Sequence, residues 1–343
     1  MSSIKKTIVV VGATGNQGGS VARTFLAQPQ WHVRCLTRNP SSKASQTLRS
    51  LGAEVVQGDL SSRDSLRRAF EGANAIYANT DFWAIYTNPD TAGRSAAAGK
   101  TSSQFAFDSE VSHGTNVAEA AASIDTLERF IYSALAPVKK ASNGKYLHSY
   151  HWDSKAAIVE YVETRHPLLA AKMSVIYLGA YANNPLLYPR WDEDSRKYGF
   201  TLPMSLDAKM PIIDAAESTG PFVMALVETE DAGKRLLAYD TDSYLHLHEL
   251  VDLWTRIIGQ PVSFTSVTVE TMNQQSGIPL EVLDGPAFIS EFGYMSGVEG
   301  DIIEPPHLKA KVKTKSFEDW VKSRDWKEIL DQGKRALKTV EGK

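Results

Sequence analysis

Short apolar runs rich in β-branched residues alternate along the first half of the chain with longer stretches of helical periodicity. "TIVVV" (Thr7 to Val11) is a compact apolar run of the kind that forms a parallel strand buried on both faces. "NQGGSVARTFLAQ" then reads as a helix. "WHVRCLT" (Trp31 to Thr37), "AEVVQGD" (Ala53 to Asp59) and "NAIYANT" (Asn74 to Thr80) predict the next strands, with helices over "KASQTLRSLG" and "SLRRAFEGA" between them. A helix is expected over about Ser109 to Ser123, a fifth strand in "LERFIYSAL", a helix in "DSKAAIVEYVE" and a sixth strand in "KMSVIYLGA". This regular alternation predicts an α/β fold, a doubly wound parallel sheet with right-handed crossovers.

The pattern loosens twice. Ile85 to Gln104 is rich in Gly, Ser, Thr, Ala and Pro and reads as a mobile loop, a flexible lid at the carboxyl end of the sheet. After Ala180 the chain carries prolines and aromatics without clear periodicity. Helical patches follow in "PFVMALVET" and "LHELVDLWTRIIG", then a strand-like "VSFTSVTV" and a helical carboxyl terminus. The expected organisation is a dinucleotide-binding Rossmann domain over residues 1–180 and a smaller substrate- or partner-binding domain over 181–343, partly interleaved with the first.

"VVVGATGNQGGSV" sets Gly12, Gly15 and Gly18 between the first strand and the first helix. The first glycine permits a tight turn, the second a close approach of backbone to a pyrophosphate, and the third the packing of helix on strand. The helix amino terminus offers free N–H groups and the positive end of its dipole to phosphates. An acidic residue at the end of the second strand would hold the ribose 2′-hydroxyl of NAD. This chain has Arg38, 20 residues after Gly18, followed by Ser42 and Lys43. A guanidinium pairs bidentately with a 2′-phosphate, so NADP(H) is the expected cofactor. The residues placed against it are Gly12, Thr14, Gly15, Asn16, Gln17 and Gly18 of the loop, then Arg38, Ser42 and Lys43. Asp59 and Leu60 follow the third strand toward the adenine, and Asn79 and Thr80 follow the fourth. Tyr177 and Gly179 stand at the end of the sixth.

Composition narrows the partners. Of 343 residues, 37 are Lys or Arg and 40 Asp or Glu, a net charge of −3 that supplies no footprint for nucleic acid or an anionic membrane. The one cysteine, Cys35, lies in an apolar run and reads as a core residue in a reducing compartment. The start "MSSIKK" has no long apolar signal core, and no run of about 18 apolar residues follows anywhere. A cytoplasmic or nuclear protein acting on a small molecule or on a protein partner is expected, with no metal site.

"GATGNQGGSVARTFL", "VRCLTRNPSSKA", "GAEVVQGDL", "ANTDFW", "GKYLHSYHWDSKAAIVEY" and the later "EFGY" resemble the NmrA-like family, atypical members of the extended short-chain dehydrogenases, in a fungal form. The resemblance implies a Rossmann domain, NADP(H) or NAD(H) binding, and a second domain closing over the nicotinamide end. It implies two kinds of function: reductases, and redox-sensing regulators that bind transcription factors.

In short-chain dehydrogenases a helix carries Tyr-x-x-x-Lys, whose tyrosine moves the proton. Here "SYHWDSKAA" keeps the lysine, Lys155, and puts His151 in the tyrosine's place. Four residues apart, the two share a helix face. Tyr150 is turned roughly 140° away from Lys155 at about 100° per residue. Ser133 holds the first serine position of the fifth strand, but Leu135 fills the slot of the catalytic serine. Lys155 is therefore expected on the nicotinamide ribose, either in catalysis, where it orders a water that could itself be the proton donor, or as an anchor of the ribose alone. His151 is expected either as proton donor in a reductase of a small carbonyl, imine or enone, or as a packed polar residue in a sensor without chemistry. Phe82, Trp83, Tyr181 and Phe292, with His151, are the expected pocket walls, although each of these aromatics, like Tyr177 and Tyr294, taken alone reads more readily as core.

Overall fold

The computed structural model describes residues 5–193 and 195–331. Ile8, Val9 and Val10 are wholly buried and put β1 (Lys6–Val10) at the centre of a sheet covered on both faces. α1 (Asn16–Leu26) leads to β2 (Trp31–Thr37), and α2 (Lys43–Ser50), β3 (Glu54–Gln57), α3 (Arg63–Phe70) and β4 (Ala75–Ala78) repeat the unit. Then come α4 (Phe82–Tyr86), α5 (Thr91–Ala97), the long α6 (Ser102–Ala122) and β5 (Arg129–Ala134). α7 (Val138–Ala141), α8 (Tyr150–Arg165) and α9 (Pro167–Ala170) precede β6 (Met173–Leu178).

The second half contributes β7 (Ala180–Tyr181), β8 (Arg190–Asp192), β9 (Lys197–Leu202), β10 (Lys209–Ile213), α10 (Ala215–Glu228) and β11 (Arg235–Ala238). β12 (Tyr244–His246), α11 (Leu247–Ile258), β13 (Val262–Ser266), α12 (Val269–Ser276), α13 (Leu280–Phe292), β14 (Ile302–Ile303) and α14 (Phe317–Lys322) follow. The helical carboxyl terminus expected from the sequence falls in part on residues 332–343, which lie outside the described residues, as do residues 1–4.

The expected doubly wound sheet is present. Its eight parallel strands run β14-β11-β6-β5-β4-β1-β2-β3. The strand order reverses between β1 and β4, and a crevice opens there at the carboxyl ends of the strands. Two three-stranded sheets, β12-β10-β7 and β13-β9-β8, come from the second half, but β11 and β14 extend the large sheet itself. α10 packs closely on α1. Ser20 Oγ donates to the Glu217 carbonyl and accepts from the Gly220 N–H, both at 2.9 Å, and a Cβ on Gly220 would stand 2.1 Å from Thr24 Oγ1.

One expectation is corrected. Residues 85–104 are not a mobile loop, because α4, α5 and the start of α6 occupy them. The small polar residues that suggested a loop are helix caps. Asp81 Oδ1 accepts from the Ala84 N–H, Thr91 Oγ1 donates to the Ile85 carbonyl, and Thr101 with Gln104 forms a capping box on α6. α6 consequently begins before the expected Ser109, and this brings Glu110 inside the molecule.

α6 reaches α8 through Gly114, where a Cβ would lie 2.3 Å from Ile158 Cδ1. Gly114→Ala should therefore cost about 1–3 kcal/mol as overpacking, read by urea denaturation. A variant as stable as the parent would show that the two helices are not in close contact there.

Candidate active site

The loop between β1 and α1 is built by backbone alone. Gly12 sits at φ +71°, in the region that favours glycine, and a Cβ on Gly18 would stand 2.3 Å from the Gly12 carbonyl oxygen. α1 starts at Gly15 with no side-chain cap and no acidic residue in its first turn, so its leading N–H groups face no competing side chain. Across the loop, Asn79 Oδ1 is buried and accepts no hydrogen bond among the described residues. A narrow glycine cradle, an uncapped helix amino terminus and an orphaned acceptor fit a dinucleotide's phosphates and ribose hydroxyls. Gln17 is held inward, accepting from the Tyr77 hydroxyl and donating to that of Tyr181, each at 2.5 Å. Burial pushes both phenols up, so they remain protonated hydrogen-bonding groups.

At the end of β2, Arg38 and Lys43 are exposed, and Ser42 caps α2 by accepting from the Ser45 N–H. Asp59 accepts from the N–H and hydroxyl of Ser61, which hold its carboxyl below the usual range; His113 and Arg38 act in the same direction. Leu60 is partly buried beside it, and its carbonyl accepts from Asn116.

α8 carries Lys155 with its side chain only 14% exposed. The ammonium donates to the Thr80 carbonyl at 2.9 Å, Thr80 Oγ1 at 3.2 Å and Glu110 Oε1 at 2.5 Å. Glu110 projects from α6 and is wholly buried, and its second oxygen accepts from the Ser154 hydroxyl. An ammonium has three protons, and three protein acceptors already meet them.

His151 stands one turn earlier on the same face. Its backbone N–H and its ring Nδ1 both meet Glu281 Oε1, at 2.9 and 2.7 Å. His148 repeats the arrangement with Asp284 Oδ2, at 2.8 Å from the N–H and 3.1 Å from Nδ1. Both carboxylates come from α13 and are buried. Ser149 gives α8 no side-chain cap, so α13 supplies acceptors at that amino terminus instead. The ring of His151 packs on Trp83 with centroids 4.9 Å apart, and on Phe82 at 5.9 Å.

These parts meet in one cavity of about 750 Å³ at the switch point. Gly15, Asn16, Gln17, Asn79, Thr80 and Gly179 line it, together with Lys155, His151, Phe82, Trp83 and Tyr181. Leu135 faces the cavity from the missing serine's position, and Tyr294 also lines it. The far wall is apolar and comes from the second half, through residues such as Leu187, Met204, Met210 and Ile289. Tyr150 packs on Phe107 of α6, away from the cavity.

Two of the expected aromatic rings pack elsewhere. Tyr177 is buried within the sheet, with its hydroxyl accepting from Arg235 at 3.2 Å, and Phe292 stacks on Phe288 beside Tyr146. Both follow from side-chain alternation and helical phase, which turn the Tyr177 ring into the core and lay the partly buried Phe292 ring against it. Arg38, Ser42, Lys43, Asp59 and Leu60 lie outside the cavity at the β2–β3 end of the sheet; Gly12, Thr14 and Gly18 do not line it either, and Thr14 is exposed. Glu110, Glu281 and Asp284 went unread in the sequence. The last two had a signal: carboxylates three apart in the otherwise apolar "LEVLDGPAF". Among the described residues no cluster of His, Cys, Asp and Glu could hold a metal ion, and no helix is long and apolar enough to cross a membrane.

The sequence model of the NmrA-like family matches residues 4–330. An NmrA-like family domain-containing oxidoreductase of Aspergillus sp. (strain MF297-2) is 34% identical over 144 residues, 41% of this chain and only 37% of that relative's own length. A crystal structure of NmrA, a negative transcriptional regulator, in complex with NADP superposes with a TM-score of 0.62 at 21% identity, covering 98% of each chain. Leucoanthocyanidin reductase from Vitis vinifera, in its binary complex with NADPH, gives a TM-score of 0.64 at 16% identity, covering 94% of this chain and 99% of that one. At these identities the superpositions establish the fold.

The Lys155–Glu110 pair predicts a coupled energetic response. Glu110→Ala leaves a cation largely buried and unpaired, and should cost about 3–5 kcal/mol of stability. Combining it with Lys155→Met should cost less than the sum of the two single changes. Denaturation of the four proteins checks this, and strict additivity would mean that the pair does not interact.

Proposed function

This chain belongs to the NmrA-like family, and from that premise we propose that it is an NADPH-dependent reductase of a small carbonyl, imine or enone compound. The supporting observation is the single cavity that runs from the glycine loop past Lys155 and His151 to an apolar wall large enough for a small organic molecule. Gly12, Thr14, Gly15, Asn16, Gln17 and Gly18 would take the pyrophosphate. Arg38, with Ser42 and Lys43, would take the 2′-phosphate, and Asp59 and Leu60 the adenosine. Asn79, Thr80, Lys155 and Gly179 would hold the nicotinamide end. The bound cofactor would supply the hydride.

The protein's own part is to orient and to handle a proton. Lys155 would exchange its Thr80 Oγ1 contact, the longest of its three, for a ribose hydroxyl. Its charge is already balanced by Glu110, so it would act as a placed donor more than as a free cation. His151 would deliver the proton, because an imidazole titrates near neutrality and this is the histidine that lines the cavity. Phe82, Trp83 and Tyr181 would bound the substrate.

Arg38→Ala should weaken NADPH binding by about 1.5–3 kcal/mol, the loss of a charged hydrogen bond, and leave NADH binding nearly unchanged. Calorimetry with both cofactors tests the assignment, and equal losses would contradict it. The reaction itself is tested by NADPH absorbance against a panel of carbonyls, imines and enones. His151→Phe should preserve cofactor binding and lower turnover by about 10²–10⁴. A protein that binds NADPH but oxidises it with nothing on the panel would be a dinucleotide-sensing regulator instead.

A further inference from the structure

Glu281 is 3% exposed on α13, whose Val282, Gly285, Pro286 and Ile289 line the cavity. Its Oε1 takes both hydrogen bonds from His151, and its Oε2 takes none among the described residues. Burying a carboxylate is costly, and capping a helix N–H needs no charge, since an amide or hydroxyl oxygen does it. The second bond, to the ring, is what a charge can serve. A carboxylate only accepts, so Nδ1 carries a proton and Nε2 is the nitrogen left toward the cavity. Phe82 and Trp83 close on the ring and fix its plane.

We propose that Glu281 is the positioning residue of a carboxylate–histidine dyad. It sets the tautomer and orientation of His151 and keeps populated the imidazolium, the form that carries the donatable proton at Nε2. The inference rests on the reductase reading for its purpose. In the reductive step the hydride brings its electron pair to the substrate carbon. The π pair of C=O or C=N, or of a conjugated enone, moves onto the terminal oxygen or nitrogen. That atom takes the Nε2 proton, the N–H pair stays on His151, and the ring regains a proton from solvent.

The groups facing the dyad are few. Tyr86 of α4 and Asp153 of α8 both feel the Glu281 charge; burial raises Tyr86 and pushes Asp153 up to about 6, and Glu281 adds to each. Asp284 lies one turn along α13, and Asp81 and Lys155 share the cavity wall. Asp284 supplies a control. It holds His148 by the same two bonds, but His148 is 49% exposed and does not line the cavity.

Glu281→Gln keeps an oxygen for the backbone N–H and the ring while removing the charge. In the full chain, with histidine nitrogens observed by NMR and no substrate present, neutral His151 should carry its proton on Nδ1. Its titration midpoint should fall by about one to three pH units in Glu281→Gln, and Asp284→Asn should leave that midpoint in place. In turnover, activity that needs the imidazolium is lost as pH rises through its pKa, so this limb should move to lower pH in Glu281→Gln, with kcat falling more than KM. A neutral His151 protonated on Nε2, or a midpoint unmoved by Glu281→Gln, would overturn the proposal. A parent protein without turnover would instead sink the reductase reading, while the tautomer and the midpoint shift would still decide whether the dyad exists. Should Glu281→Gln fail to fold, the tautomer in the parent protein decides.

Discussion

The buried pairing of Lys155 with Glu110 is the constraint on which the site depends. An ammonium this far from water is tolerable only with a carboxylate against it and acceptors for its remaining protons. α6 supplies the first, and Thr80 at the end of β4 supplies the others. Satisfying one side chain therefore ties α6, α8 and the switch point of the sheet together. The bare Cα of Gly114 lets the two helices come close enough for it.

The same logic runs the other way at the start of α8. There the helix presents N–H groups and two histidines, and α13 presents two buried carboxylates. α13 belongs to the second half of the chain, so the segment that closes over the crevice also orients His151 inside it. α13 thus gives the cavity apolar lining through Val282, Gly285, Pro286 and Ile289, while its two carboxylates hold the histidines of α8.

Much of the fold was legible because burial on both faces leaves a continuous apolar signature. β1 to β6, α1 and α8 each lie within a few residues of where the hydrophobic pattern puts them. Residues 85–104 misled because Ser, Thr, Asn and Asp serve turns and helix caps alike, and their partners are known only once the chain is folded. The site divided in the same way. Residues tied to a local motif, the glycine loop and the His151–Lys155 spacing, could be read directly. Glu110, Glu281 and Asp284 act on residues 45, 130 and 136 positions away, and no local pattern encodes such a pairing. Tyr177 and Phe292 failed for a related reason, since position near a strand end does not say which way a ring turns.

One cavity that takes the nicotinamide end of the cofactor and the substrate together is the central claim, and a crystal structure of the full chain with NADP⁺ tests it most directly. The 2′-phosphate should lie at Arg38, the pyrophosphate on the Gly12–Gly18 loop, and the nicotinamide between Thr80 and Lys155. His151 Nε2 should face open space beside the ring. A nicotinamide lying outside the cavity, or one that leaves no space between it and His151, would contradict the claim.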